Sequence, residues 1–309
     1  MRFYRPRLFA LPFFFVLTAC QSLPDTAPER ARDFSEQNLA IRQLPLPTAV
    51  QVDYQDEIKL LRINQLLAEE KGLSGRQRAI LFYERGAIYD RMGLTAHSRY
   101  DFTQALNADP TFAEPYNSLG LYLLLSQSYD EAFDAFDSAL ELSQEMQYSY
   151  LHRAAGLYQV ERYYLAKSDI EKFYMLDKTD PYRILWRFII TAQLDPQKAL
   201  DALRSDTQLK EDMRYAWSIV DVIAGRITEK RFLETVSYGV RSNKELAKRL
   251  CEAYFYLGHW HKLSGNIEKA IYYFKLSTAT NIHEFIEYKY SLMELAAIQI
   301  QLQEGLDSL

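Results

Sequence analysis

The feature that most restricts this 309-residue chain is one spacing written three times between Ala79 and Asp180. Phe82, Gly86, Tyr89, Phe102, Ala105 and Pro110 follow the order aromatic-x3-Gly-x2-Tyr…Phe-x2-Ala-x4-Pro. An advance of 34 positions gives Tyr116, Gly120, Leu123, Phe136 and Ala139, with Ala132 at the small position between two helices. A second advance gives Tyr150, Ala154, Leu157, Ile170 and Phe173, with Ala166 in that position. A unit of this kind is a helix–turn–helix that cannot bury its apolar face alone. Neighbouring units must stack to make a continuous core, and stacking leaves a long concave face.

Period and residue types together match the tetratricopeptide signature. The predicted helix pairs are 76–91 with 95–108, 115–125 with 130–142, and 148–159 with 163–176. Asp109-Pro110 breaks the first pair from the second, and Pro115 suits a first helical turn, where its missing N–H costs nothing. From Asp180-Pro181 the signature wears away. Segments 182–194 with 196–204, and 213–224 with 229–239, read as degenerate pairs spanning 181–250. Tyr254, Leu257, Gly258, Gly265, Ala270 and Phe274 restore the pattern within 251–302. A last amphipathic helix over 285–302, with Tyr288, Leu292, Leu295 and Ala296 on one face, reads as the cap that a solenoid needs, and 303–309 as a frayed tail. Nothing calls for strands. The expected fold is all-α, a solenoid of helix–turn–helix pairs with flanking capping helices.

The N-terminal segment reads as an address. Arg2, Arg5 and Arg7 precede an apolar run, Leu8 to Leu17, too short to span a bilayer, which needs ~20 residues. The run ends Leu17-Thr18-Ala19-Cys20, which resembles the bacterial lipobox. That resemblance implies a signal peptide over 1–19 and a palmitate-bearing, triacylated Cys20 on a periplasm-facing protein. Gln21 follows rather than the Asp linked with inner-membrane retention, so outer-membrane anchoring is expected. Several acyl chains give stable anchoring where one would not. Residues 20–52 carry Pro24, Pro28, Pro45 and Pro47 among polar residues and read as a flexible tether. A helix within 53–75, with Ile58, Leu61, Leu66 and Leu67 as its stripe, either caps the array or pairs with a second copy of the chain.

The net charge is −5, or −8 without Arg2, Arg5 and Arg7, and no basic stripe is present. Nucleic acid is therefore not an expected partner. Of two cysteines, only Cys251 remains if Cys20 is acylated, so no internal disulfide is expected, and Cys251 reads as a buried apolar residue opening a helix. No phosphate-binding glycine loop, nucleophile elbow or zinc-protease pair is present. In His283-Glu284-Phe285-Ile286-Glu287 the position for a second histidine holds Glu287. His259 and His261 lie two apart and would point about 200° from each other on a helix. His97 and His152 are isolated. The expected reading is therefore no enzyme, no metal and no cofactor.

The expected functional surface is the concave face. Its predicted partner-binding groove comprises Tyr83, Asp90, Asn117, Leu121, Leu124, Tyr148, Leu151 and Tyr158, with Ala87 beside them. An aromatic and aliphatic lining of this kind suits a peptide partner. Some tetratricopeptide domains clamp a C-terminal carboxylate with Lys, Arg and Asn, but here only Asn117 matches, with Arg91 at a helix end.

Leu81-Phe82-Tyr83-Glu84-Arg85-Gly86 through Asp101-Phe102-Thr103-Gln104-Ala105-Leu106, Asp180-Pro181-Tyr182-Arg183, Tyr256-Leu257-Gly258 and the stretch around Trp217 together resemble the NlpI-like outer-membrane lipoproteins, a tetratricopeptide-repeat adaptor family. The tether differs from theirs. The resemblance implies a homodimeric, non-enzymatic adaptor. Its implied partners are a periplasmic C-terminal processing protease (Prc-like) and murein endopeptidases (MepS-like), so that it would serve peptidoglycan hydrolase regulation. The competing readings are a structural component of outer-membrane assembly and an unrecognised cell-wall enzyme.

Overall fold

The computed structural model describes residues 44–69, 72–210 and 212–307, with side chains described to Gly305. Cys20, the signal segment and most of the expected tether lie outside the described residues. Fourteen α-helices and no strand occur among the described residues. They are α1 (Tyr54–Ala68), α2 (Gly75–Arg91), α3 (Thr95–Ala108), α4 (Ala113–Leu125), α5 (Tyr129–Leu142), α6 (Gln147–Gln159) and α7 (Tyr163–Leu176). There follow α8 (Pro181–Thr191), α9 (Pro196–Asp206), α10 (Ala216–Ile223), α11 (Glu229–Thr235), α12 (Asn243–Leu263), α13 (Ile267–Ala279) and α14 (Ile286–Asp307).

The 34-residue spacing is a steric device. A Cβ on Gly120 would fall 2.6 Å from the Phe136 ring, and one on Gly258 would fall 2.6 Å from Phe274. Each glycine is thus the dent that lets the ring of its partner helix, sixteen positions on, lie against backbone. Phe136, Phe274, Ala105, Ala132 and Ala139 are fully buried as a result. The hairpins α2–α3, α4–α5 and α12–α13 close in this way, α6–α7 has Ala154 and Ile170 at the corresponding positions, and consecutive hairpins stack. This is the geometry of a tetratricopeptide-type solenoid. Along one edge Arg85 grips Asp101 through two hydrogen bonds of 2.6 and 2.7 Å, and one repeat pair later Arg153 grips Asp169 at 2.6 and 2.8 Å. Two-pronged guanidinium–carboxylate bonds fix orientation as well as charge.

Capping sets the starts. Ser74 and Gln77 form a reciprocal capping box on α2. In the worn stretch the start signals persist although the glycine is gone. Asp180 caps α8 ahead of Pro181, and Asp195 caps α9 ahead of Pro196. Phe188 stands where Gly86 and Gly120 would recur, and it is buried. The α8–α9 pair therefore cannot close as the earlier hairpins do.

Four features depart from the sequence reading. Cys251 lies in the interior of α12, not at its start, because Ser242 caps that helix nine residues upstream of the expected opening. The expected tail is helical to Asp307. Residues 45–52, expected as tether, are fastened to the body: Thr48 and Asn243 exchange two hydrogen bonds of 2.7 and 2.8 Å and Tyr254 donates to the Pro45 carbonyl, while just beyond them Lys244 lies 3.4 Å from Asp53. Finally, α14 is more than an end cap. It also reaches α2, α4 and α6.

Candidate functional site

The first helices of the hairpins, α2, α4 and α6, carry all eight predicted groove residues. Tyr83 is half-buried, its ring 5.4 Å from that of Phe102 and 5.2 Å from that of Phe112, with its hydroxyl facing Ser118. Asn117 accepts a 2.8 Å hydrogen bond from the Ser149 hydroxyl. Tyr148 is 51% exposed and stands over Phe173 and His152. These three, with Ala87, keep some exposure.

Of the other five, four are buried, and Asp90, though partly exposed, is engaged by the chain's own side chains. Leu121, Leu124 and Leu151 are buried, and Gly156 on α6 closes against the Leu124 side chain. Asp90 accepts from the Tyr122 hydroxyl and from Lys289 Nζ at 3.0 Å. Tyr158 is 7% exposed and accepts from Lys262 Nζ at 3.1 Å. An open lining made of these residues is therefore not what the fold presents. The chain's own α12 and α14 lie where a peptide was expected.

The contact between α14 and the inner helices is polar and in register. Lys289 meets Asp90 on α2. The next residue, Tyr290, bonds through its hydroxyl to His152 Nδ1 on α6 at 2.7 Å. One turn on, Glu294 accepts from Lys262 Nζ at 2.6 Å and from Gln159 Nε2 at 2.6 Å. Glu294 is 1% exposed. Burial alone would raise its pKa, but the Lys262 ammonium, with the hydrogen bonds from Lys262 and Gln159, outweighs that and holds it below the ordinary glutamate value. Burial pushes His152 down to about 3 and His259 down to about 4, so both are neutral. Trp186 on α8 anchors the seam, its ring 5.2 Å from Tyr290, 5.3 Å from Phe255 and 6.4 Å from His259.

At the start of α14 two carboxylates share one neighbourhood. Glu287, buried, accepts from the Tyr256 hydroxyl at 3.2 Å, and Glu252 on α12 faces the Tyr182 hydroxyl. Burial and mutual repulsion raise the pKa of this pair, so that they keep proton character into the neutral range.

The histidine motifs separate in space. His259 is buried in the seam, whereas His261 bonds Glu229 at 2.7 Å and stacks on Tyr273. His283 packs against Gly93, and His97 against Tyr89. Among the described residues no group of three or more His, Cys, Asp or Glu side chains is placed to hold a metal. Cys251 is fully buried with its thiol pushed up to about 12 by burial, which keeps it from reacting as a thiolate.

Sequence reasoning missed Trp186, His259, Lys262, Glu287, Lys289, Tyr290 and Glu294. The available signal was in α14 itself: Glu287, Ser291, Glu294 and Ile298 recur at one-face spacing, but three of the four are polar and make no apolar stripe. The apolar face expected there is displaced, since Leu292 is 43% exposed.

The class of protein is thus a solenoid of tetratricopeptide-type hairpins whose inner surface is engaged in cis. No family model matches the chain. Among solved structures it is similar to YrrB, described as a TPR protein with an unusual peptide-binding site, at 15% identity over 75% of this chain and 98% of that one, with a TM-score of 0.41. It is similar to a tetratricopeptide repeat protein from Parabacteroides merdae at 16% identity, over 86% of this chain and 96% of that one, with a TM-score of 0.42. The MamA protein matches at 12% identity over 66% of this chain and 92% of that one, with a TM-score of 0.39.

Proposed function

We propose that this chain is a lipid-anchored adaptor of the NlpI type. It would be tethered at the outer membrane through Cys20 and would hold a Prc-like processing protease next to MepS-like murein endopeptidases. The observation that carries the reading is the solenoid itself, because stacked hairpins present large surfaces that serve assembly. Two ligands on one scaffold meet at raised effective concentration without any catalytic group on the scaffold. The homodimer is part of the same reading. Tyr54, Ile58 and Leu61 recur at i, i+4, i+7 on α1 and are 68%, 42% and 70% exposed, a stripe on which a second copy would pack.

The test is a pull-down from periplasmic extract with the mature chain carrying Cys20→Ser. Recovery of a PDZ-type protease together with a murein endopeptidase supports the adaptor. Recovery of membrane-assembly proteins alone, or murein hydrolysis by the isolated chain, overturns it. In parallel, full-length Cys20→Ser protein should leave the membrane fraction with unchanged helicity. Retention after a salt wash would refute the anchor.

A further inference from the structure

The seam between α14 and the solenoid has the character of a ligand contact. A permanently buried core helix presents apolar side chains. Here Glu287, Lys289, Ser291 and Glu294 are all buried within the first three turns of α14. Partners of this stretch stand on helices far upstream: Asp90 for Lys289, His152 for Tyr290 and Gln159 for Glu294 are 135 to 199 residues away in sequence. The bonds read out one register, a cation, then an aromatic hydroxyl, then a carboxylate five residues after the cation.

The same seam is incompletely satisfied. Ser291 Oγ, Trp186 Nε1 and His259 Nε2 are buried without a hydrogen-bond partner, and the three residues are 0%, 3% and 2% exposed. The gap between His259 Nε2 and Glu294 Oε1 is 3.9 Å, beyond hydrogen-bond reach. Buried polar groups without partners each cost stability, and native interiors contain few of them. Three along one helix seam, together with the Glu252–Glu287 repulsion at its start, mark α14 as an imperfect occupant. Past Ile298 the helix leaves the groove, and Ile300 and Leu302 are 44% and 54% exposed.

We propose that the inner surface formed by Asp90, His152, Gln159, Trp186 and Lys262 is a helix-binding groove that α14 occupies in cis. A partner protein competes for it with an amphipathic helix bearing Lys or Arg, then an aromatic hydroxyl, then a carboxylate five residues after the cation. Helix-in-groove recognition of this kind reads anchors on one face of the incoming helix. The adaptor reading supplies the biological use. Groove occupancy is tested without any protease or hydrolase, so the two can fail separately.

The experiment uses the full chain carrying Lys289→Ala and Glu294→Ala, which loosens α14 and leaves the groove side intact. The probe is a fluorescent peptide covering residues 285–302. Expected is at least about tenfold tighter binding to the variant than to the unaltered chain, because the competent fraction rises. A peptide with the same two substitutions should lose that gain. Equal binding to both chains overturns the proposal. So does a doubled mass in solution that accounts for the gain, since α14 would then be exchanged between copies. Hydrogen exchange on the unaltered chain gives a measurement that needs no variant. Amides of 289–298 should open without global unfolding, well before those of α4 to α7. If they exchange only with the whole molecule, α14 is core and the proposal is wrong.

Discussion

Replacing Lys262 with Met keeps the aliphatic stem and removes the ammonium, which isolates the charge contribution. In the native chain that ammonium sits 2.6 Å from Glu294 Oε2 and 3.1 Å from the Tyr158 hydroxyl. Its loss leaves a carboxylate that is 1% exposed with Gln159 as its remaining close donor. Breaking a buried ion pair on one side costs about 3–5 kcal/mol, because an uncompensated charge stays buried. The orphaned carboxylate has one escape, which is to take up a proton. The cost should therefore shrink as pH falls from 8 to 5. Removing both partners in Lys262→Met/Glu294→Leu should recover much of the loss, giving a coupling well above the additive limit for independent sites. Urea unfolding followed by Trp fluorescence measures all three variants, since Trp186 lies in the seam. A single-variant cost below about 1 kcal/mol, or the same cost in the Glu294→Leu background, would refute the account of the seam as a tightly paired polar contact.

Gly120→Ala should destabilise by up to about 2 kcal/mol: overpacking against the buried Phe136 ring costs about 1–3 kcal/mol, offset by about 1 kcal/mol of helix propensity. The third hairpin sets Ala154 opposite Ile170 at the same spacing, so Gly120→Ala/Phe136→Ile should recover part of the loss in thermal unfolding. Stability against pH should show a plateau with two falling limbs. His152 and His259 have folded pKa values pushed far below 6.5, so the unfolded chain binds more protons and stability falls as pH drops. The Glu252–Glu287 pair has folded values raised above 4.5, so the folded chain holds more protons and stability falls as pH rises through the neutral range. Between 4.5 and 6.5 the two slopes oppose each other. Below 4.5 the acid limb steepens, because Glu229, held down to about 2 despite its burial by hydrogen bonds from His261, Lys269 and Tyr273, adds its own loss. Glu287→Gln should flatten the alkaline limb and leave the acid limb in place. A midpoint that rises steadily from pH 6.5 to 9 would contradict the assignment.

The hairpins were legible in the sequence because their closure is local. Gly120 and Phe136 need only each other and a turn between them, and such a demand leaves a fixed spacing. Caps are legible for the same reason, which is why Asp180-Pro181 and Asp195-Pro196 still announced helices where Phe188 had erased the glycine. The occupant of the groove was not legible. Whether Glu294 is a solvated carboxylate or a buried one depends on Lys262 and Gln159, and Gln159 lies 135 residues away in the chain. Taken alone, α14 offers apolar and polar residues in almost equal measure, so helical periodicity favoured Tyr288 and Leu292 over Tyr290 and Glu294. The polar register that misled the pattern has a physical consequence. An apolar seam would have held α14 by contact area alone, tolerant of sequence and hard to reverse. A seam built from Lys289–Asp90, Tyr290–His152 and Glu294–Lys262 is selective, and each bond can be replaced one for one by a helix that carries the same groups.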